Sequence, residues 1–167
     1  MTITYRKPNP DDVFKIYQHY SRVIASMQEK GIDQWDDLYP NCAVIAADIA
    51  AGDLWIGESD GRLICAFAIN TECEEEYNAC PWQYPDEPYI VVHRLAVNPL
   101  FQRQGVAKNA MEFVENSAKE KGIRTIRLDT FCGNPFGRAL YENSGFKTIG
   151  FAHWRKGDFQ IMEKVLF

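Results

Sequence analysis

Apolar residues recur along this chain with two periods, and the switches between them predict its elements. Residues 2–7 alternate and predict a strand. Asn9-Pro10-Asp11-Asp12 follows, with a capping side chain, a proline suited to a first helical position and acid in the first turn. Val13, Ile16, Tyr17, Tyr20, Val23, Ile24 and Met27 then recur at helical spacing, and Gly31 stops them. A loop from Gly31 to Pro40 precedes a second helix over 41–51, ended by Gly52. Leu54–Glu58 and Leu63–Asn70 read as strands joined at Ser59-Asp60-Gly61, a hairpin signal. Residues 71–87 are acidic and aromatic by turns and predict a long loop, of the kind that often carries function.

A strand over 88–97 and a helix over 104–121 come next, the helix with Val106, Ala107, Ala110, Met111, Val114 and Ala118 on its apolar positions. A strand over 123–131 and a short helix from Asn134-Pro135 to Asn143 follow. Strands over 146–154 and 159–167, about a turn at Lys156-Gly157-Asp158, complete the chain. The order is β-α-α-β-β-β-α-β-α-β-β. Its middle β-α-β unit predicts a parallel pair inside a mostly antiparallel sheet.

A length of 167 residues suits one domain with a sizeable core. A formal charge of −5 argues against nucleic-acid binding through phosphate contacts. The start of the chain has no apolar signal-peptide core and no run reaches the length of a membrane span, so a cytoplasmic protein without a membrane partner is expected. The five cysteines include no Cys-x-x-Cys pair, and no zinc constellation or other metal site is expected. Cys65 lies in an apolar strand and should be a small buried residue, while Cys73 and Cys80 should be reduced.

The chemistry concentrates where the 88–97 strand gives way to its helix, at Phe101-Gln-Arg-Gln-Gly-Val-Ala-Lys108. The first turn of a helix carries backbone N–H groups outside its own ladder, at the positive end of its dipole. Gly105 lets an anion approach that backbone, Ala107 keeps the next turn clear, and Gln102, Arg103 and Lys108 add donors and charge. This is the chemistry of a phosphate cradle. It is neither a Walker loop nor a dinucleotide fingerprint, because the further glycines of both are missing.

Two motifs extend the reading. Leu95-Ala96-Val97-Asn98-Pro99 with Gln102-Arg103-Gln104-Gly105-Val106-Ala107 resembles the acetyl-CoA signature Gln/Arg-x-x-Gly-x-Gly/Ala of the GCN5-related N-acetyltransferase superfamily. Asn134-x-x-Gly137-x-x-Leu140-Tyr141-x-x-x-Gly145-Phe146 resembles that superfamily's second element, with Gly137 where alanine is usual. The resemblance implies one N-acetyltransferase domain over residues 1–167. It implies an α/β (α+β) fold with a mixed, mostly antiparallel sheet of about seven strands, splayed at its centre and flanked by about four helices. It also implies acetyl transfer from acetyl-CoA to a primary amine of a small molecule or peptide, by direct attack in a ternary complex. A non-catalytic acyl-CoA-binding module is the alternative, and a homodimer is compatible with either.

By the same resemblance, the amides of Gln104, Gly105, Val106, Ala107 and Lys108 would hold the CoA pyrophosphate, with Gln102 and Arg103 beside them. The backbone of Leu95, Ala96 and Val97 would bind the pantetheine arm, one N–H polarising the thioester carbonyl. Tyr141 would protonate the departing thiolate, against an ordinary helix aromatic packed on the sheet. Asn134 would contact the cofactor or cap its helix. The base is expected to be His93, because imidazole titrates in the useful range and His93-Arg94-Leu95-Ala96-Val97 resembles the matching strand of arylalkylamine N-acetyltransferases. Glu72, Glu74, Glu75, Glu76 and Asp129 are the alternatives. Trp35, Asp36, Tyr39, Trp82 and Tyr84, with Glu72 and Asp129, are the candidates for lining the acceptor pocket, with a role as loop anchors equally open to the aromatic ones.

Overall fold

The two periods of apolar spacing emerge as two kinds of element. A computed structural model describes residues 1–167. Its elements are β1 (Thr4–Arg6), α1 (Val13–Glu29), α2 (Cys42–Ala51), β2 (Leu54–Ser59), β3 (Arg62–Asn70), β4 (Tyr89–Val97), α3 (Val106–Glu120), β5 (Thr125–Phe131), α4 (Pro135–Asn143), β6 (Lys147–Trp154) and β7 (Gly157–Val165). The order is the predicted one. The seven strands lie in the sheet order β1-β2-β3-β4-β5-β7-β6. Two details differ from expectation. The last hairpin turns at Arg155-Lys156 rather than at 156–158, because Gly157 already pairs with Trp154. Three short 3-10 turns, Pro10–Asp12, Glu75–Ala79 and Pro99–Phe101, are too brief to show a period.

The chain divides into two compact units, one of Met1–Ile69 with Arg94–Ala110 and one of Asn70–His93 with Met111–Phe167. In the first unit β1, β2 and β3 form an antiparallel meander. Asn9 caps the turn that leads into α1, with Asp12 returning the bond to the Asn9 N–H. Helix α1 buries Ile16, Tyr20, Val23, Ile24 and Met27, the stripe its spacing predicts. Cys65 is fully buried, as expected, and burial pushes its thiol up to about 12.

The same helix also buries a polar group that no periodicity announces. His19 is 1% exposed, and its Nε2 lies 3.0 Å from the Ala96 carbonyl, to which it must donate. Burial drives the imidazole pKa down from 6.5 to about 4; the carbonyl opposes this and Arg22 adds to it. Between those two values the unfolded chain takes up a proton that the folded ring refuses, so stability falls as the pH falls through that window. The expected loss from this group is about 2 kcal/mol between pH 7 and pH 5. Urea unfolding at both pH values should show that loss in the parent and much less of it in His19→Gln; an equal loss in the two would refute it.

In the second unit β4 and β5 run parallel in the register Tyr89↔Thr125, Ile90↔Ile126, Val91↔Arg127. Strands β5, β7 and β6 continue antiparallel. Tyr77, Val91, Ala152 and Ile161 form a buried cluster, with Trp82, Tyr89 and Trp154 packed against it. Loop 71–87 therefore carries part of this unit's core. No helix is long and apolar enough to cross a membrane.

Candidate active site

The cradle belongs to the first unit. Asn98 opens it, its side chain accepting from the Leu100 N–H (3.1 Å) and donating to the Leu63 carbonyl (3.3 Å). Arg103 and Gly105 both take positive φ, 60° and 79°, and turn the chain back on itself. The ladder of α3 begins with Asn109 N–H to Gly105 C=O at 2.9 Å. The amides of Gly105, Val106, Ala107 and Lys108 lie ahead of that bond, at the helix's positive end. A Cβ placed on Gly105 would meet no atom within 4 Å. Glycine is thus required there by φ, and open room is left beside the amides, as a bound diphosphate needs.

Two of the candidate side chains hold the turn itself. Gln102 accepts from Lys30 Nζ (3.0 Å) and donates to the Val97 carbonyl (3.3 Å). Gln104 donates to the Leu100 carbonyl at 3.2 Å. Leu95 and Val97 are half-buried and Ala96 is buried, so what this stretch can offer a ligand is its backbone.

The remaining chemistry lies in the second unit. Asn134 caps α4, its oxygen accepting from the amides of Phe136 and Gly137 at 3.1 Å each. A Cβ on Gly137 would come within 2.9 Å of Thr130 Oγ1, which gives a steric reason for glycine where alanine is usual. One turn later Tyr141 packs edge-on against Phe146, ring centroids 5.7 Å apart. Burial, and then the charge of Asp129, pushes its phenol well above the ordinary range, so it stays protonated. Asp129 itself accepts from the buried Tyr77 hydroxyl at 2.6 Å.

His93 is half-buried at the end of this unit's share of β4. Its Nε2 meets Asn70 Oδ1 at 2.7 Å. That oxygen also accepts from the Glu72 N–H at 3.0 Å, which fixes the amide's orientation. In the neutral ring Nε2 must therefore carry the hydrogen, and Nδ1 is the basic nitrogen.

The candidates for the acceptor pocket divide by what they touch. Trp35 is buried, its ring edge-on to Tyr20 at 5.8 Å, and anchors its loop. Asp36 folds the same loop, accepting from the Leu38 and Tyr39 amides. Tyr39 is exposed, and its hydroxyl receives Arg94 Nη1 at 2.9 Å. An open hollow of about 340 Å³ lies between α1 and this loop, with Tyr17, Gln28, Asp36 and Asp37 on its lining. Trp82 lies over the Arg127 guanidinium at 4.1 Å and donates to the Tyr77 carbonyl at 2.8 Å. Tyr84 lies over Arg124 at 4.2 Å. These two fasten loop 71–87 to β5 and to the residue just before it. Glu72, Glu74, Glu75 and Glu76 are exposed.

Asn70 and Tyr77 are the residues that sequence reasoning missed. Each orients a candidate base, and each is far from its partner along the chain. The only available signal was an amide at a strand end and a tyrosine set among glutamates.

The acetyltransferase (GNAT) family matches residues 11–146. A probable N-acetyltransferase 14 of Xenopus tropicalis is 32% identical over 69 residues, 41% of this chain and 34% of the relative. The chain thus matches about a third of that relative's length. Among solved structures, a GNAT-family acetyltransferase of Streptococcus agalactiae is 26% identical with a TM-score of 0.83, over 98% of this chain and 95% of that one. The PaiA N-acetyltransferase of Thermoplasma acidophilum, solved with coenzyme A, is 21% identical with a TM-score of 0.71, over 99% of each chain. At that identity the likeness is one of fold. With the family matching across most of the chain and the fold agreeing from end to end, this chain belongs to the GNAT family of acetyltransferases.

Proposed function

We propose that this protein transfers the acetyl group of acetyl-CoA to a primary amine, by direct attack within a ternary complex. The observation that carries this is the turn into α3, where Gly105 at φ 79° leaves open room beside four amides that precede the helix ladder. The family's match, running through residues of both units, supports reading residues 1–167 as one N-acetyltransferase domain. The neighbour solved with coenzyme A supports acetyl-CoA as the donor.

In this reading the Gly105–Lys108 amides hold the diphosphate, with Arg103 beside them. The Leu95–Val97 backbone holds the pantetheine arm, and one of its N–H groups stabilises the oxyanion. His93 Nδ1 takes a proton from the ammonium of the acceptor. The amine nitrogen then attacks the thioester carbon and the C–N bond forms; the nitrogen gives up its second proton to solvent as the C–S bond breaks, and the sulfur takes one up in turn. Tyr141 supports the departing sulfur, which leaves as the thiol once a proton reaches it.

Purified protein given acetyl-CoA and a panel of small amines, amino acids and peptides should release CoA thiol on at least one, with the acetylated amine identified by mass spectrometry. Tight acetyl-CoA binding with turnover on none of them would refute the reading. With an accepted amine, His93→Ala should lose the acid limb of the kcat/KM profile that the parent shows. A limb at the parent's position would transfer the base role to Asp129 or to Glu72.

A further inference from the structure

Within the first unit, three buried polar side chains of the helices converge on one short stretch of β4. At its centre Arg94 adopts φ 53°, a left-handed conformation in mid-strand for a residue that is not glycine. Such a conformation is strained and persists where its surroundings dictate it. Here the surroundings are visible. The Arg94 guanidinium pairs with Asp48 of α2, with side chains only 13% and 12% exposed. The Arg94 carbonyl accepts from the Tyr20 hydroxyl of α1 at 2.7 Å. Two residues on, the Ala96 carbonyl accepts from His19 Nε2 at 3.0 Å. Tyr20 and His19 are each 1% exposed.

These bonds act on more than the carbonyls. A trans peptide is planar, and its C=O and N–H point in opposite directions. With the Arg94 carbonyl bound by Tyr20, the Leu95 N–H must point away from α1. With the Ala96 carbonyl bound by His19, the Val97 N–H must do the same. Leu95 and Val97 are the residues whose amides the proposed function assigns to the acyl-pantetheine arm. A buried ion pair is poor evidence of stability, because desolvation consumes most of its Coulombic gain. The Asp48–Arg94 pair, holding a strained backbone, makes better sense as a device of alignment.

We propose that Asp48, acting through Arg94, and Tyr20, acting on the Arg94 carbonyl, are positioning residues that aim the Leu95 and Val97 amides at the thioester carbonyl. This inference rests on the reading of the site given above, and it predicts a specific split. Asp48→Asn and Tyr20→Phe leave the diphosphate cradle untouched, so acetyl-CoA affinity should change less than about threefold while kcat falls about tenfold, as misaligned oxyanion donors require.

The decisive measurement is the 13C shift of acetyl-CoA labelled at the thioester carbonyl and bound to the protein. The parent should move this signal downfield of its free value, and both variants should return it most of the way, whether or not an acceptor amine is known. Tyr20→Phe keeps the ring packing and carries the test if Asp48→Asn fails to fold. An unchanged shift and kcat in the folded variants, with only a lower melting temperature, would overturn this inference alone. A parent that binds acetyl-CoA but leaves its carbonyl at the free-solution shift would overturn the reading of the site and this inference with it.

Discussion

Gly105→Glu is expected to weaken acetyl-CoA binding by about 100-fold or more, equivalent to roughly 2.7 kcal/mol, in a chain that still folds. Two effects contribute. The first is backbone strain: φ at this position is 79°, and any residue with a Cβ held there costs roughly 1–2 kcal/mol. A chain that relieves this strain by moving the turn also moves the amides. The second is charge, since a carboxylate enters a space that the positive end of α3 would otherwise offer to a diphosphate. Folding should survive because no atom lies within 4 Å of the new Cβ. Gly105→Ala separates the two effects, carrying the strain without the charge, and should lose about tenfold in affinity, about 1.4 kcal/mol. Calorimetric titration with acetyl-CoA, beside circular dichroism to establish folding, checks both. A folded Gly105→Glu with parental affinity would remove the diphosphate from this turn.

That experiment concerns a feature the sequence displays openly, and the contrast with the Arg94 cluster shows where such reading stops. Gly105 could be singled out because strand, turn and helix are contiguous and each has a local period. Helix α1 was legible for the same reason: Ile16, Tyr20, Val23, Ile24 and Met27 recur at its pitch and are buried. The roles of His19, Asp48 and Asn70 were not legible. Their partners, Ala96, Arg94 and His93, lie 77, 46 and 23 residues away, and a single polar residue on a helix or strand end has no period to detect. The aromatic residues of the two loops were ambiguous for another reason. An indole suits a ligand pocket and a loop anchor equally, and what it touches decides between them. Trp35 packs on Tyr20 and Trp82 on Arg127, contacts that only the folded chain creates.

Tyr141→Phe is expected to lower kcat by about 100-fold, the ordinary scale for loss of a general acid, and to leave acetyl-CoA affinity within about twofold of the parent's. The ring should stay in place, because phenylalanine preserves the edge-on packing against Phe146. What disappears is the hydroxyl, and the burial around it defines how it can act. Burial and the charge of Asp129 hold the phenol protonated well above its usual range. So weak an acid does not release its proton before the C–S bond begins to break. In the proposed role it would donate a hydrogen bond whose strength grows as charge collects on sulfur, and the same dry surroundings would raise the thiolate's own affinity for the proton. The loss should therefore fall on kcat and kcat/KM together, the signature of an interaction made only in the transition state. It follows that the alkaline limb of the parent's kcat should not begin at about pH 10, where an exposed phenol ionises. Steady-state kinetics across pH on parent and variant read both effects. Full turnover in Tyr141→Phe would leave the sulfur to be protonated by solvent, and a limb at the ordinary phenol position would mean that this hydroxyl is not shielded as its burial requires.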